Sequence, residues 1–351
     1  MTEIPPPRAN PWLFGHQSAE AELRRFYEEG RLPHAILLCG PRGIGKATLA
    51  FRLARFVLAG GEGGAEGLAI SRESGVFRRV AAGGHADLLT VERGFDPQRR
   101  RLRAGILTEE AREIAGFLRL TAAEGGWRVV IVDGAEEMTR NAANALLKIL
   151  EEPPRRALLL LVSHSPGRLL PTIRSRCRRL PLAALSPALV RELLDRWRPD
   201  LTEEQRQALG ALADGSLGRA IELAEAGGVA LYGSLLDLLR DIPRLDAGKL
   251  QAFADKLLRP GAEDSFRVVA ELLSRLLARL ALARARGEGA GEEVVTDERE
   301  TIAHLCRQAD AARWAGLREE IEASFARTAA LNLDRRQALF GAFFAIADRA
   351  G

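Results

Sequence analysis

Short apolar runs alternate with amphipathic segments along the first half of the chain. The runs are typical of buried strands, and the segments between them repeat their apolar residues every three or four positions, as helices with one buried face do. Strands that alternate with helices predict a mostly parallel sheet with helices on both faces, so we expect the α/β fold class. The predicted strands are 34–40, 85–92, 127–133, 157–163 and 177–185.

Helices are predicted between these strands, at 44–60, 108–120 and 140–152. Thr108 is the expected N-cap of the second helix, and a pair of prolines stops the third. We expect the glycine-rich stretch 60–67 and the segment 93–105 to be surface loops. The basic group at 98–103 within the second loop is interpreted as plain surface charge, with a contact to DNA as the alternative.

After Leu185 the strand pattern stops and helical patterns follow. Ser186 is the expected N-cap of the next helix, and Thr202 with Gln205 forms a capping box at the start of another. A loop rich in glycine and glutamate at 287–293 interrupts the last helical part. The chain is therefore predicted to contain an α/β domain at 1–185, a small helical domain at 186–240 and a larger helical domain at 241–351.

The composition is typical of a soluble globular protein, with 47% hydrophobic and 28% charged residues among 351. No apolar run reaches the roughly 18 residues of a membrane span, and the first residues lack the pattern of a secretory signal. Three cysteines, Cys39, Cys177 and Cys306, fit no zinc or disulfide spacing. We therefore expect a cytoplasmic protein without a membrane partner. A net charge of +4 does not by itself indicate nucleic-acid binding.

Residues 40–47, GPRGIGKA, match the phosphate-binding loop pattern G-x-x-x-x-G-K-[ST] up to its last position. The glycines let backbone N–H groups approach an anion at the start of the following helix, and the lysine reaches the outer phosphates. Lysine is rare here, with four among 51 lysines and arginines, so its presence in this loop is informative. The plainer alternative is a glycine turn between a strand and a helix. The predicted nucleotide-binding residues of the loop are Gly40, Pro41, Gly43, Ile44, Gly45, Lys46, Ala47 and Thr48.

Ala47 departs from the pattern because it has no hydroxyl to bind magnesium. Thr48 lies about 100° further round the helix and is a poor substitute. Asp133 ends a predicted strand, as does the acid that organises magnesium in P-loop ATPases. The alternative is a solvated acid at the end of a buried strand. Together these residues predict a nucleotide-binding site in which metal-assisted chemistry is weakened.

Two long strings resemble the clamp-loader branch of the AAA+ ATPases, namely NAANALLKILEEPP at 141–154 and LVSHSPGRLLPTIRSRCRRL at 161–180. The resemblance is strong in the α/β domain, moderate through GSLGRAIELAE at 215–225 and weak in the last third of the chain. It implies an AAA+ P-loop domain, a helical lid domain at 186–240 and a helical collar domain for oligomerisation at 241–351. A self-contained helical domain is the alternative for the last part.

The resemblance also implies roles for individual residues. Arg176, in the string SRC, corresponds to an arginine finger that enters the ATP site of a neighbouring subunit and neutralises charge at the γ-phosphate. Ser163 corresponds to a polar γ-phosphate sensor, and Arg219 corresponds to the sensor arginine of the lid. Gly134 stands where active AAA+ members have an acid that polarises the attacking water, and the next acids along the chain come too late. The alternatives are a solvated basic run around Arg176 and a solvated Arg219.

The resemblance implies an accessory subunit of the clamp loader of a bacterial replicative polymerase, without ATP hydrolysis of its own. Its expected partners are clamp-loader ATPase subunits and a delta subunit in a hetero-oligomeric ring, the sliding clamp that the ring opens, and primed DNA. ATP is the expected cofactor, bound weakly or as a vestige. No zinc is expected, because 60–127 contains no cysteine where many members of the family have a four-cysteine module. The rival interpretations are an autonomous AAA+ ATPase, such as a helicase-type or remodelling motor, and a scaffold with no role in any active site.

Overall fold

The computed structural model describes residues 4–64, 67–96, 101–103, 105–124, 126–259, 263–287 and 293–350. The chain forms two compact units, Met1–Ser186 and Pro187–Gly351. Strands and helices alternate in the first unit, and the described part of the second unit is helical.

Five strands of the described chain form one parallel sheet in the first unit, in the order β2-β5-β6-β1-β7. This arrangement confirms the predicted α/β class. The seventh strand is shorter than the predicted 177–185. The strands, numbered along the chain, are β1 (Ala35–Cys39), β2 (Leu88–Val91), β3 (Phe95–Asp96), β4 (Arg101–Leu102), β5 (Arg128–Asp133), β6 (Ala157–Ser163) and β7 (Arg178–Pro181).

The helices of the first unit cover both faces of this sheet. Ile36 and Leu38 of β1 pack on one face with residues of α1 and α2, defined below, while Leu37 packs on the other face with residues of α4 and α5. Strands buried on both faces need apolar residues at consecutive positions, which is why they appear as continuous runs in the sequence. The helices are α1 (Gln17–Glu28), α2 (Lys46–Leu58), α3 (Gly75–Ala81), α4 (Thr108–Arg119), α5 (Arg140–Glu151) and α6 (Pro171–Arg174).

The predicted N-cap of α4 was wrong by one residue. Thr108 is the first helical residue, and Leu107 is the N-cap. The backbone N–H of Leu107 donates to the Glu110 carboxylate over 2.9 Å, so an acid in the first turn satisfies the N–H of the N-cap residue, as the acid of a capping box does. The N-cap of α5 is Thr139, whose hydroxyl accepts from the Ala142 N–H at 3.3 Å.

The prediction of a surface loop at 93–105 was wrong in part, because this segment contains two short strands. Strands β3 and β4 pair antiparallel within it, with Phe95 opposite Leu102. Residues 97–100 between them, and hence part of the basic group 98–103, lie outside the described residues. The short helix α3 was also not predicted. Its Phe77 and Val80 are buried, so tertiary packing stabilises a helix too short to be stable alone.

Two buried arginines of α2 hold the N-terminal segment against the first unit. Arg52 pairs with Glu20 at 2.6 Å and also donates to the carbonyl of Pro11. Arg55 donates to the carbonyls of Arg8 and Asn10, at 3.0 and 2.8 Å. Burial, with a smaller contribution from the Arg52 charge, lowers the pKa of Arg55 to about 10. The segment is thus fixed to the same helix that begins at the phosphate-binding loop.

The second unit is helical throughout its described residues. The predicted capping box is confirmed, because Thr202 accepts from the Gln205 N–H at 3.2 Å and the Gln205 side chain accepts from the Thr202 N–H at 3.0 Å. None of the helices described combines the length and hydropathy of a membrane span. The helices are α7 (Pro187–Trp197), α8 (Glu203–Leu212), α9 (Leu217–Glu225), α10 (Gly228–Leu239), α11 (Ala247–Leu257), α12 (Glu263–Arg286), α13 (Glu298–Gln308), α14 (Ala311–Leu331) and α15 (Arg335–Ala350).

The long helices α12 and α14 pack along each other, and α10 packs against α12 and α13. The contacts of α10 cross the predicted boundary between 186–240 and 241–351, and the division of this unit into two domains stays a prediction. A polar cluster joins the same helices. Glu298 is fully buried and accepts hydrogen bonds from the Tyr232 hydroxyl and from the Arg279 guanidinium. The buried carboxylate therefore depends on these two donors and on the Val294 N–H, at 2.5 Å.

Candidate functional site

The phosphate-binding loop lies between β1 and α2, as the sequence predicts. Gly43 and Gly45 have φ angles of 75° and 103°, a region that favours glycine. A Cβ atom on Gly40 would lie 2.4 Å from the carbonyl oxygen of Leu182. The tight backbone path of the loop therefore requires these glycines. The carbonyl of Ile44 is hydrogen-bonded to the His16 ring at 2.7 Å, which ties the loop to the segment before α1.

Lys46 is the first residue of α2, and it is 3% exposed. Its ammonium donates to the loop's own carbonyls, to Gly40 at 2.8 Å and to Pro41. Burial lowers the pKa of Lys46 to about 8, although the carboxylates of Asp133 and Glu136 act in the opposite direction. In this state the ammonium fills the cradle where a phosphate would bind, so an anion has to replace two carbonyl partners.

Two further predicted residues lie at the carboxyl edge of the sheet. Asp133 ends β5 opposite Val162 of β6, and Ser163 follows Val162 directly, opposite Cys39 of β1. Burial and neighbouring acids, Glu92 first among them, raise the pKa of Asp133, while the Lys46 ammonium acts against this shift. The structure thus brings the loop lysine, the strand-end acid and the strand-end serine to one edge. Ser163 is fully buried, and among the described residues its hydroxyl has no hydrogen-bond partner of good geometry.

The two other residues of the loop region provide no obvious metal ligand. Ala47 has a methyl group where the pattern has a hydroxyl, and the Thr48 side chain is 8% exposed on the first turn of α2. Within the described part of the chain, no cluster of three or more His, Cys, Asp and Glu side chains could hold a metal ion. The absence of a structural zinc stays a prediction.

Gly134, next to Asp133, has a left-handed backbone with φ 78° and ψ 49°. A Cβ atom there would lie 2.8 Å from a carboxylate oxygen of Glu137, which is itself paired with Arg93 at 2.8 Å. A glutamate at this position would be strained in its backbone and would crowd another acid. The position therefore lacks a catalytic carboxylate and also has a backbone unsuited to one.

Sequence reasoning missed the part that Glu136 and His164 play in the electrostatics of the site. Glu136 lies on a short 3-10 turn, Ala135–Glu137, and accepts the His164 N–H at 2.9 Å. Burial opposes its ionisation, but hydrogen bonds from backbone N–H groups lower the pKa of Glu136 overall. Burial and the Lys46 charge lower the pKa of His164. A polar residue directly after the strand end, in the string SHSP, was the available signal.

Arg176 follows α6 and its side chain is 36% exposed. Its guanidinium pairs with Glu151, the last residue of α5, at 2.8 Å and donates to the Thr172 carbonyl at 3.1 Å. Cys177 beside it is buried, and burial raises the pKa of its thiol to about 12. Cys177 is therefore a packed thiol, not a nucleophile, and the guanidinium of Arg176 lies at the surface of the unit.

Arg219 belongs to the second unit, in the first turn of α9. Its guanidinium contacts Asp214 at 3.3 Å, and its Nε is buried without a hydrogen-bond partner among the described residues. The charge of Arg219 is thus partly compensated inside its own unit. Its role as a lid sensor stays a prediction.

The parallel sheet, the phosphate-binding loop and the helical second unit define a P-loop protein of the AAA+ type. Residues 15–186 match the family described as "DNA polymerase III, delta subunit". The match confirms the resemblance to the clamp-loader branch that the motifs indicated.

Proteins with similar sequences are subunits of DNA polymerase III. The DNA polymerase III subunit delta' of Pseudomonas aeruginosa is 42% identical over 185 residues, which cover 52% of this chain and 53% of that protein. The gamma/tau subunit of Mycobacterium tuberculosis is 33% identical over 184 residues, 52% of this chain and 30% of that one. The chain thus spans about half the length of the delta-prime relatives it matches. A solved structure of a gamma subunit-related protein from Thermotoga maritima covers 95% of this chain and is itself covered completely, with a TM-score of 0.44 and 21% identity.

Proposed function

We propose that this chain is an accessory subunit of the DNA polymerase III clamp loader and that it donates Arg176 to the ATP site of a neighbouring subunit. The observation that carries the proposal is the placement of Arg176. Its guanidinium lies at the surface and is paired with Glu151, whose side chain is 48% exposed. An exposed ion pair contributes about 0.2–1 kcal/mol, so a neighbour's triphosphate can take over the guanidinium at little cost.

The chain does not hydrolyse ATP on its own in this proposal. Ala47 has no side-chain oxygen to bind magnesium, and the left-handed Gly134 has no carboxylate to polarise water. ATP then binds weakly or as a vestige, with little dependence on magnesium, because the metal-dependent share of phosphate binding is missing. The site of this chain is then structural, and the working site that Arg176 enters has its other catalytic groups from a partner subunit.

The proposed assembly is a hetero-oligomeric ring of clamp-loader ATPase subunits and a delta subunit, in the cytoplasm. This ring opens the sliding clamp and places it on primed DNA, with contacts mainly to backbone phosphates. Residues 241–351 form the oligomerisation collar in this proposal, and 186–240 form the lid. Large apolar side chains left exposed on the isolated chain support the collar: Leu331 is 64% exposed, Leu333 48% and Phe344 53%.

The decisive experiment replaces Arg176 with alanine in a reconstituted clamp loader. Arginine fingers contribute about 10³–10⁵ in rate, so we expect primer-template-stimulated hydrolysis at the neighbouring site to fall about 10³-fold or more. The matched control is Arg155→Ala, which removes an exposed arginine just before β6, at the opposite end of that strand from Ser163. If hydrolysis is unchanged by Arg176→Ala, the chain is a scaffold without a role in an active site.

A second experiment tests the claim about the chain's own site. The isolated chain is titrated with ATP with and without magnesium, and its steady-state turnover is measured. We expect weak binding, a small effect of magnesium and no turnover above background. Turnover of about 1 per second or more, an ordinary enzyme rate, would instead establish an autonomous ATPase.

A further inference from the structure

Arg42 gives the phosphate-binding loop a second cation, which the sequence pattern of such loops does not specify. It occupies a variable position between Gly40 and Gly43, and it is exposed. None of the described residues accepts a hydrogen bond from its guanidinium or forms an ion pair with it. Arg176, by comparison, pairs with Glu151. A ligand can therefore bind the Arg42 guanidinium without breaking a contact within the described chain.

The charge of Arg42 acts at the carboxyl edge of the sheet. Burial is the main cause that lowers the pKa values of Lys46 and His164, and the Arg42 charge contributes to both shifts. Exposed charges more than about 10 Å apart are largely screened, so the guanidinium lies near both side chains. The strand register agrees with this position, because Cys39 of β1 lies opposite Ser163 of β6, and the loop and His164 follow directly. Arg42 and Lys46 are thus two cations at one edge.

Two buried polar atoms at the same edge have no partner within the described chain. The Ser163 hydroxyl and the His164 Nδ1 atom are buried without a hydrogen bond of good geometry to any described residue. Buried polar groups are almost always hydrogen-bonded, so these two indicate a polar ligand beside the end of β6. A hydroxyl, and an imidazole with its proton on Nδ1, can each donate to a phosphate oxygen. One oxygen of Glu136 is also without a described partner, but a carboxylate only accepts and would not bind an anion.

The residues of this loop do not suit magnesium. In P-loop ATPases the metal bridges oxygens of the outer two phosphates and neutralises their charge. Ala47 lacks the hydroxyl that would hold the metal, and the Thr48 side chain is buried on the first turn of α2. An arginine supplies a permanent positive charge and two parallel N–H donors that match a phosphate. Arg42 can therefore neutralise an outer phosphate in a site where the metal lacks this ligand.

We propose that Arg42 binds the terminal phosphate of ATP in place of magnesium, so that the ligand of this chain is the metal-free nucleotide. The inference rests on the proposed function in one respect, because it requires that the chain still binds ATP weakly. It requires neither Arg176 nor the assembled ring. The Lys46 ammonium has to leave two carbonyls to reach an anion, whereas the Arg42 guanidinium has no such partners among the described residues. Arg42 therefore contributes its charge at a lower cost than Lys46 does.

The test measures binding of ATP and of ADP to the full chain by isothermal titration calorimetry, with excess chelator and with excess magnesium. Without metal, Arg42→Ala is expected to weaken ATP binding about tenfold or more, because a charge-assisted contact is lost. ADP lacks the terminal phosphate, so the same substitution is expected to change its Kd less than about threefold. Magnesium is expected not to tighten ATP binding to the unmodified chain, since the ion and the guanidinium compete for the same phosphate oxygens.

Two further variants serve as controls. Lys46→Met removes the loop ammonium and is expected to abolish ATP binding, which locates the ligand in the loop. Arg155→Ala removes an exposed arginine at the opposite end of β6 from Ser163, and it is expected to shift the Kd of ATP less than about twofold. Circular dichroism melts verify that all variants are folded, and Arg42 is exposed, so its replacement is expected to leave the fold intact.

Five outcomes overturn the proposal: no saturable binding of ATP below about 10 mM, unchanged ATP binding by Lys46→Met, equal affinity of Arg42→Ala and Arg155→Ala for ATP, equal losses for ATP and ADP in Arg42→Ala, or ATP binding that magnesium tightens about tenfold or more. The first four leave the role of Arg176 intact, since that role is measured by stimulated hydrolysis in the reconstituted ring. The fifth also contradicts the proposed weak binding with little dependence on magnesium, so the two failures are distinguishable.

Discussion

Replacing Lys46 with methionine is predicted to stabilise the isolated chain near neutral pH. The pKa of Lys46 falls from an ordinary 10.5 to about 8 because burial disfavours its charge. At 1.36 kcal/mol for each pH unit, this difference corresponds to about 3.4 kcal/mol of destabilisation by the protonated lysine. Partial access of solvent reduces this figure to about 2.5 kcal/mol. Methionine fills a similar volume without a charge.

The substitution also removes two hydrogen bonds, those to the carbonyls of Gly40 and Pro41. As bonds of the neutral amine, each contributes about 0.5–1.5 kcal/mol, so the expected net gain at pH 7 is about 0.5 kcal/mol. A stabilising loss of the loop lysine would show that the residue is kept for anion binding and not for folding. The expected gain in the free energy of unfolding is small, but it is larger than the error of measuring the two chains side by side.

The pH dependence provides the sharper test. Between about pH 8 and 10.5 the folded state binds fewer protons at this residue than the unfolded state does, so stability of the unmodified chain rises with pH there. The destabilisation is complete below pH 8 and disappears by about 10.5. The advantage of Lys46→Met is therefore expected to shrink across this window and to reverse near pH 10, where its lost hydrogen bonds dominate.

Urea unfolding followed by circular dichroism, at pH 7 and in steps to pH 10, measures the difference between the two chains. Groups distant from Lys46 titrate alike in both chains, so the change of the difference with pH reports Lys46 together with Asp133 and His164, whose pKa values its charge shifts. Lys148→Met, at an exposed position of α5, is the control and is expected to change stability by less than about 0.5 kcal/mol at all pH values. A loss of more than 1 kcal/mol at pH 7 that stays constant to pH 10 would refute the reasoning.

Three further substitutions have defined expectations. Gly134→Glu is expected to destabilise the chain by about 1–3 kcal/mol because of its left-handed backbone, and to confer no ATP turnover. Glu151→Gln removes the carboxylate that pairs with Arg176 in the reconstituted ring. The ATP concentration that gives half-maximal stimulated hydrolysis is therefore expected to fall about 1.5- to 5-fold, equivalent to about 0.2–1 kcal/mol. Glu298→Gln leaves the Arg279 cation without its buried partner and is expected to lower the free energy of unfolding by about 3 kcal/mol in urea titrations.

Each of these has a control at a neighbouring or equivalent position. Gly116→Ala, in a helix with open space around the added Cβ, is expected to be neutral or slightly stabilising. Glu152→Gln and Glu300→Gln remove exposed acids next to Glu151 and on the first turn of α13, and neither is expected to have an effect. A stable Gly134→Glu chain, an unchanged half-maximal concentration or a neutral Glu298→Gln would contradict the corresponding argument.

The sheet was predictable because its strands are buried on both faces, and a strand such as 157–163 consists almost entirely of apolar residues. The phosphate-binding loop was predictable because positive φ angles and a close backbone approach require glycine at fixed positions. The short helix α3 and the β3–β4 pair were not predictable from the sequence. Their local sequence patterns are weak, and tertiary contacts determine whether they form. The sequence showed that position 134 has no acidic residue. It could not show the left-handed backbone there, which disfavours a glutamate.

Under the proposed function, the left-handed conformation of Gly134 makes an ATPase activity difficult to gain by mutation. A single codon change at Gly134 would introduce strain before it restored any rate, and a hydroxyl at position 47 would have no benefit without it. Neither change is expected to be favourable alone, so a gain of independent ATPase activity would require both at once. Under the proposed function, the chain therefore continues to depend on neighbouring subunits for nucleotide hydrolysis.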